Sequence, residues 1–184
     1  MKLDCYAAFL KGINVGGHKK IRMQDLKVSL NTLGFQHLST YIQSGNVAFC
    51  TADADIPRLK TQIEDKIMTD FGFEVAVILR KATELHQIIE NNPFLKEASD
   101  DSSNLYITML EEKPEKQNLV KLLEFSFPQD LYEVIGKEVY LNCLNGYGNT
   151  KLSNDFFEKK LRLKATTRNW KTMLKMQEIQ RSLE

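Results

Sequence analysis

Three runs constrain what this chain can fold into. Cys5 to Leu10, Val75 to Leu79 and Leu105 to Leu110 are apolar at nearly every position. A strand with one wet face alternates apolar and polar residues, so strands without alternation are expected to be covered on both sides. A chain of 184 residues can do this, since roughly 70% of the unfolded surface is buried at such a size.

The order of the remaining patterns says which sheet these strands build. Leu3 to Leu10 reads as a strand, and Met23, Leu26, Leu30 and Leu33 follow at helical spacing until Gly34 stops them. Leu38 to Gln43 and Val47 to Thr51 read as strands joined by a tight turn at Ser44-Gly45-Asn46. Asp53 or Asp55 caps a helix with Pro57 in its first turn and Ile56, Leu59, Ile63, Ile67 and Phe71 on one face, and Gly72 ends it. Glu74 to Leu79 is the next strand. The order is βαββαβ, the split unit of ferredoxin-like folds.

After a helix from about Thr83 to Asn91, stopped by Pro93, and a polar, acidic linker from Glu97 to Asn104, the pattern restarts. Leu105 to Leu110 is a strand, and Pro114 opens a helix. Leu131 to Ile135 and Val139 to Leu144 form a hairpin at Gly136-Lys137, and Ser153 caps a helix. A short strand near Leu163 to Ala165 and a last helix beginning after Thr166 or Thr167 complete the chain. The expectation is an α+β fold of two duplicated ferredoxin-like halves, their sheets packed on each other, plus a C-terminal helix. Residues 1–80 make the first half, 81–104 a connecting helix and linker, and 105–184 the second half with that helix.

Composition is that of an ordinary globular protein, and the net charge of +1 neither favours nor excludes nucleic acid. Its distribution is less even. Lys11 to Arg22 holds four cations and no acid. Glu84 to Glu138 holds 12 acids against 5 cations, and Lys151 to Glu184 holds 9 cations against 4 acids. Two basic segments flank an acidic middle, as solvated helix faces do, or as segments that meet and attract an anion do. Cys5, Cys50 and Cys143 form no metal spacing and read as small buried hydrophobes, unpaired in a reducing compartment. The chain enters its first strand without a leader pattern, and no apolar run reaches the roughly 18 residues of a membrane span. A cytoplasmic protein with no membrane association is expected.

The stretch from Phe9 to Arg22 is the first candidate site, because a glycine-rich turn between strand and helix can aim backbone N–H groups at one point. Its candidate ligand residues are Lys11, Gly12, Asn14, Gly16, Gly17, Lys19 and Lys20. Gly12 to Lys19 is close to the phosphate loop of nucleotide hydrolases, but His18 intervenes before the lysine and the magnesium-binding hydroxyl is missing. That activity is excluded, while a looser anion site stays open beside a plain chain reversal. Gln43, Ser44 and Asn46 add polar groups at a hairpin, where turn chemistry is the simpler reading. Thr167, Arg168, Asn169 and Trp170 stand at the expected start of the last helix. There a threonine cap, the helix dipole, a bidentate guanidinium and a stacking ring would suit an anion, or simply a capped helix with its tryptophan in the core. His18, His37 and His86 are far apart, so no metal is expected, and no motif calls for a cofactor.

Taken together, Leu-Lys-Gly-Ile-Asn-Val-Gly-Gly (10–17), Tyr-Ile-Gln-Ser-Gly-Asn-Val (41–47), Asn-Pro-Phe (92–94) and Ala-Thr-Thr-Arg-Asn-Trp-Lys-Thr (165–172) resemble a widespread bacterial family, domain of unknown function family 1697. The resemblance covers nearly the whole chain and implies an α+β fold of duplicated ferredoxin-like halves. It implies no activity. Lys11 stands where arginine is expected before Gly-Ile-Asn, which keeps the charge and loses the bidentate fork.

The function these features favour is a binding module for a phosphorylated small molecule or nucleic acid, with the 12–20 loop and the 166–170 helix start facing one cleft. An enzyme acting on a small anionic substrate would use Asn14, Gln43, Ser44 and Asn46 as lining, but no base or nucleophile stands out. A protein-interaction module would use the acidic middle. The element order also fits RNA-recognition domains, but Gly45 to Phe49 is only a weak echo of their aromatic signature. Nothing in the sequence sets an oligomeric state.

Overall fold

The computed structural model describes residues 3–96 and 102–183. It divides into two compact units, one of Met1–Gln87 with Lys175–Glu184 and one of Ile88–Leu174. The expected linker residues 97–101 lie outside the described residues, and Ser102 accepts from the Leu105 amide at 3.1 Å as the chain enters its next strand.

The first unit follows the order βαββαβ. Its elements are β1 (Asp4–Leu10), α1 (Met23–Asn31), β2 (Gln36–Tyr41), β3 (Asn46–Thr51), α2 (Ile56–Phe71) and β4 (Val77–Lys81). The sheet runs β2-β3-β1-β4 and every pairing is antiparallel. Along β1 the residues paired with β3 and β4 alternate by face. Tyr6, Ala8 and Leu10 join Val47, Phe49, Val77 and Leu79 on the face covered by Leu26 and Leu30 of α1 and Leu59, Ile63 and Ile67 of α2. Each of these buried aliphatic side chains stabilises the fold by roughly 1.5–3 kcal/mol. The opposite face carries Ala7, Phe9, Ala48, Cys50, Ile78 and Arg80, and these are buried too. The strands apolar on both faces are thus covered on both, as their lack of alternation requires.

The termini of α2 follow from local chemistry. The Asp55 carboxylate accepts from the Arg58 amide at 3.1 Å, Pro57 occupies the first turn, and Gly72 turns left-handed with its N–H on the Met68 carbonyl.

The second unit repeats the plan with β5 (Leu105–Leu110), α4 (Lys116–Leu123), β6 (Asp130–Ile135), β7 (Glu138–Cys143), α5 (Asn154–Leu161) and β8 (Ala165–Asn169), in the sheet order β6-β7-β5-β8. Its core gathers Leu110, Val139, Leu141, Cys143 and Ala165 from the sheet with Leu122, Phe157 and Leu161 from the helices. Two further helices, α3 (Ala82–Glu90) and α6 (Trp170–Arg181), follow β4 and β8. The fold is α+β with duplicated ferredoxin-like halves and a C-terminal helix.

Two expectations are corrected. The last strand is not a short piece near Leu163 to Ala165, and the last helix does not start after Thr166 or Thr167. Residues 165–169 are extended throughout because each pairs with β5, from Leu110↔Ala165 to Tyr106↔Asn169, and the helix begins at Trp170. The cysteines are not all unpaired either. Cys5 and Cys50 face each other in the β1–β3 register and form a disulfide, leaving Cys143 as a free, buried thiol.

Candidate ligand-binding site

The candidate residues of the first unit lie on two loops that meet at one end of β1. The chain leaves β1 and folds back on itself around Gly16 and Gly17, whose φ of 59° and 80° lets the His18 amide reach the Val15 carbonyl at 3.0 Å. The Lys11 amide donates to the Ala76 carbonyl at 2.9 Å, and the buried side chains of Ile13 and Ile21 root the loop in the core.

Asn14 holds this loop in shape. Its Nδ2 donates to the Ile21 carbonyl at 2.9 Å and to the Gln43 carbonyl at 2.8 Å, while its Oδ1 accepts from the Ile21 amide at 2.9 Å. Every strong hydrogen-bonding position of that carboxamide but one acceptor site is thereby used on the backbone. The residue read as a ligand-binding group is a staple between the 11–22 loop and the hairpin.

The hairpin is built as tightly. The Leu10 amide donates to the Gly45 carbonyl at 2.8 Å, and a Cβ on Gly45 would come within 2.7 Å of Leu10 Cβ and 2.8 Å of Ile13 Cδ1. Asn46 Nδ2 donates to the Tyr41 carbonyl and to Ser44 Oγ, both at 3.0 Å. Asn46 and Ser44 therefore shape the turn. Ile42 adopts a φ of 47°, which a β-branched residue takes only under constraint, and its side chain is 48% exposed.

What remains outward is a smaller set than expected. Asn14, Lys20, Ile21, Arg22, Asp25, Gln43 and Phe71 line a cleft of about 410 Å³. Lys19 is turned aside, its Nζ donating to the Glu74 carbonyl at 2.6 Å. Arg22 is occupied by the Asp25 carboxylate in a two-point contact of 2.7 and 3.1 Å, and this contact raises the guanidinium pKa. Lys20 is exposed and has no partner among the described residues. The loop carries no acid of its own, but α1 supplies one.

Asp25 and Phe71 lie outside the Phe9–Arg22 stretch, and Ile21 and Arg22 lie inside it without being among its candidate ligand residues. Asp25 sits three residues after Arg22, a helical spacing that signals such a pair. Phe71 was read as core. It is half-buried against the core and also presents surface to the cleft.

The candidate residues of the second unit are differently placed. Thr167 lies in β8, where its Oγ donates to Asn154 Oδ1 at 2.6 Å and accepts from Tyr147 Oη at 3.0 Å and Thr108 Oγ at 2.7 Å. One donor and two acceptor positions are all a hydroxyl has, so Thr167 is saturated. Burial raises the pKa of the Tyr147 phenol.

Arg168 is buried, and its Nη1 donates to Thr166 Oγ at 2.7 Å and the Thr167 carbonyl at 2.9 Å. Burial pushes its guanidinium down to about 10, so it stays charged at neutral pH. The expected threonine cap is replaced by Asn169, whose Oδ1 accepts from the Thr172 amide at 2.8 Å. Trp170 is buried, only 4% exposed, which is the core position weighed against stacking.

No group of three or more His, Cys, Asp or Glu able to hold a metal occurs among the described residues. No described helix is long and apolar enough to cross a membrane.

Comparison with known proteins bears on the fold and the family. No curated protein matches the chain. The solved structure of a conserved bacterial protein, SP0830 from Streptococcus pneumoniae, is similar at 22% identity and a TM-score of 0.78, covering 97% of this chain and 99% of that one. At that identity the likeness speaks for the fold alone. The family model described as "Protein of unknown function (DUF1697)" matches residues 3–140, and the chain, with its Gly-Ile-Asn-Val-Gly-Gly loop stapled to its Gln-Ser-Gly-Asn hairpin, belongs to that family.

Proposed function

We propose that the first unit is a binding module for a phosphate-bearing ligand, seated in the cleft beside the 12–20 loop. One observation carries this reading. Lys20 and the exposed Gln43 face a cleft whose walls are held by the Asn14 staple, and the neighbouring Arg22 already has its own carboxylate. A lone exposed ammonium beside a rigid glycine turn favours an anion, and the preformed backbone limits the ordering cost of binding.

Arg168 is left out of this site, because its guanidinium is buried and hydrogen-bonded within its own unit. An enzymatic reading gains no support from the hairpin. The Ser44 hydroxyl accepts from Asn46 Nδ2 at 3.0 Å, a contact that shapes the turn and is not one that activates a nucleophile.

The test is calorimetric titration of the full chain with inorganic phosphate and pyrophosphate at low salt. Binding that Lys20→Ala weakens about tenfold or more supports the reading, since a charge-assisted contact has roughly that worth. Absence of binding, or binding indifferent to Lys20→Ala, overturns it.

A further inference from the structure

The cleft is not uniformly polar, and this bears on which phosphate-bearing ligand it takes. Lys20 supplies a cation without a partner among the described residues, Gln43 an exposed residue with a carboxamide, and the half-buried Phe71 an apolar wall. Phe71 closes α2 and packs against the core, with its ring centroid 6.5 Å from that of the half-buried Phe73. A bare phosphate or a sugar phosphate would leave this wall against water, whereas a ring would cover it.

We infer that the cleft takes a purine mononucleotide, with the phosphate at Lys20, the base against Phe71, and the base edge at the Gln43 carboxamide. The inference rests on the phosphate-binding reading above and narrows it. Three pieces of chemistry converge. Aromatic faces stack with bases, and the worth of one such stack is about tenfold in affinity or more. A carboxamide offers a donor and an acceptor side by side, the pair that matches the N6 and N7 edge of adenine. The ammonium is a compact charge suited to a terminal phosphate rather than to a planar carboxylate fork. The volume, about 410 Å³, falls in the range of small-molecule clefts.

The full chain is titrated with inorganic phosphate, ribose 5-phosphate, adenosine monophosphate and a short oligoadenylate. The expected result is that adenosine monophosphate binds about tenfold tighter than ribose 5-phosphate. Phe71→Leu, which keeps an apolar side chain against the core, should remove that advantage and leave ribose 5-phosphate binding unchanged. Lys20→Ala should weaken both.

If adenosine monophosphate and ribose 5-phosphate bind alike, and Lys20→Ala still weakens both, the nucleotide inference fails and the phosphate reading stands. If none of these ligands binds, both fail. If the oligoadenylate alone binds, with an affinity that drops steeply with salt, the site reads single-stranded nucleic acid and the mononucleotide inference is overturned. If nucleotide binding ignores both substitutions, the cleft is not the site.

Discussion

Asn14 Nδ2 lies 2.8 Å from the carbonyl oxygen of Gln43, a hydrogen bond that spans 29 residues of sequence. It joins the loop after β1 to the turn between β2 and β3, so the two glycine-containing motifs of the first unit are one structure. Removing it should disconnect them. In Asn14→Ala the Ile21 amide and the carbonyls of Ile21 and Gln43 lose their partner, and alanine must also hold a φ of 56°. The expected loss is about 2–4 kcal/mol, from roughly 1–3 for the unmade bonds and roughly 1 for the backbone. Urea unfolding measures the total. Hydrogen exchange at the Ile21 amide should accelerate even where the global stability changes little.

Gly45→Ala should be at least as costly. The residue combines a φ of 77° with a Cβ position 2.7 Å from Leu10 Cβ and 2.8 Å from Ile13 Cδ1, both in buried residues. Overpacking and backbone strain together should cost about 2–5 kcal/mol by denaturant melt. A variant within half a kcal/mol of the parent would show that the β1 end and the hairpin are less tightly joined than described.

Thr167→Val tests the hydroxyl network of the second unit. It removes the donor to Asn154 and the acceptor for Tyr147 and Thr108 while keeping the shape of the side chain. A loss of about 1–3 kcal/mol is expected, and Thr167→Ser should recover most of it. Equal stability of the valine and serine variants would mean the network contributes nothing.

The Cys5–Cys50 bond closes a loop with a sequence separation of 45 residues. By the chain-entropy argument its reduction should lower stability by about 3–4 kcal/mol. Paired urea melts with and without dithiothreitol measure this, and mass spectrometry under non-reducing alkylation counts the free thiols. One alkylated cysteine in the unfolded, unreduced chain is expected, and three would contradict the pairing.

Cys143 makes a prediction about pH. Burial pushes its thiol up from 9.0 to about 11, with the nearby Asp130 acting the same way and a hydrogen bond with Thr150 opposing. The folded thiol therefore holds its proton after the unfolded one has lost it. The unfolded state binds fewer protons over that interval, so the stability from a neutral Cys143 is complete below about pH 9 and declines toward pH 11. Cys143→Ala should flatten that alkaline slope. In the native protein at pH 8 the thiol should resist Ellman's reagent until the chain unfolds.

Sequence alone was sufficient wherever structure is decided within a few residues. The bounds of α2 are legible because Asp55, Pro57 and Gly72 each act on the backbone beside them. The two βαββαβ orders are legible because apolar periodicity reports whether one face or two will be covered, and Gly16-Gly17 and Gly45 mark turns that other residues resist. The family resemblance rests on those same local motifs.

Tertiary structure alone decided what depends on partners far along the chain. Thr166 to Asn169 has the look of a helix start, yet it is extended because β5 offers it a ladder. Cys5 and Cys50 pair because the β1–β3 register sets them opposite each other, and no spacing rule contains that register. The candidate site divides in the same way. A basic, glycine-rich loop can be read from residues 11–22. That Asn14 and Asn46 serve the backbone, that Lys19 reaches Glu74, that Asp25 occupies Arg22 and that Phe71 walls the cleft could not be read. A side chain's hydrogen bonds are settled by whichever groups folding brings within about 3 Å, and the sequence holds the groups without the distances.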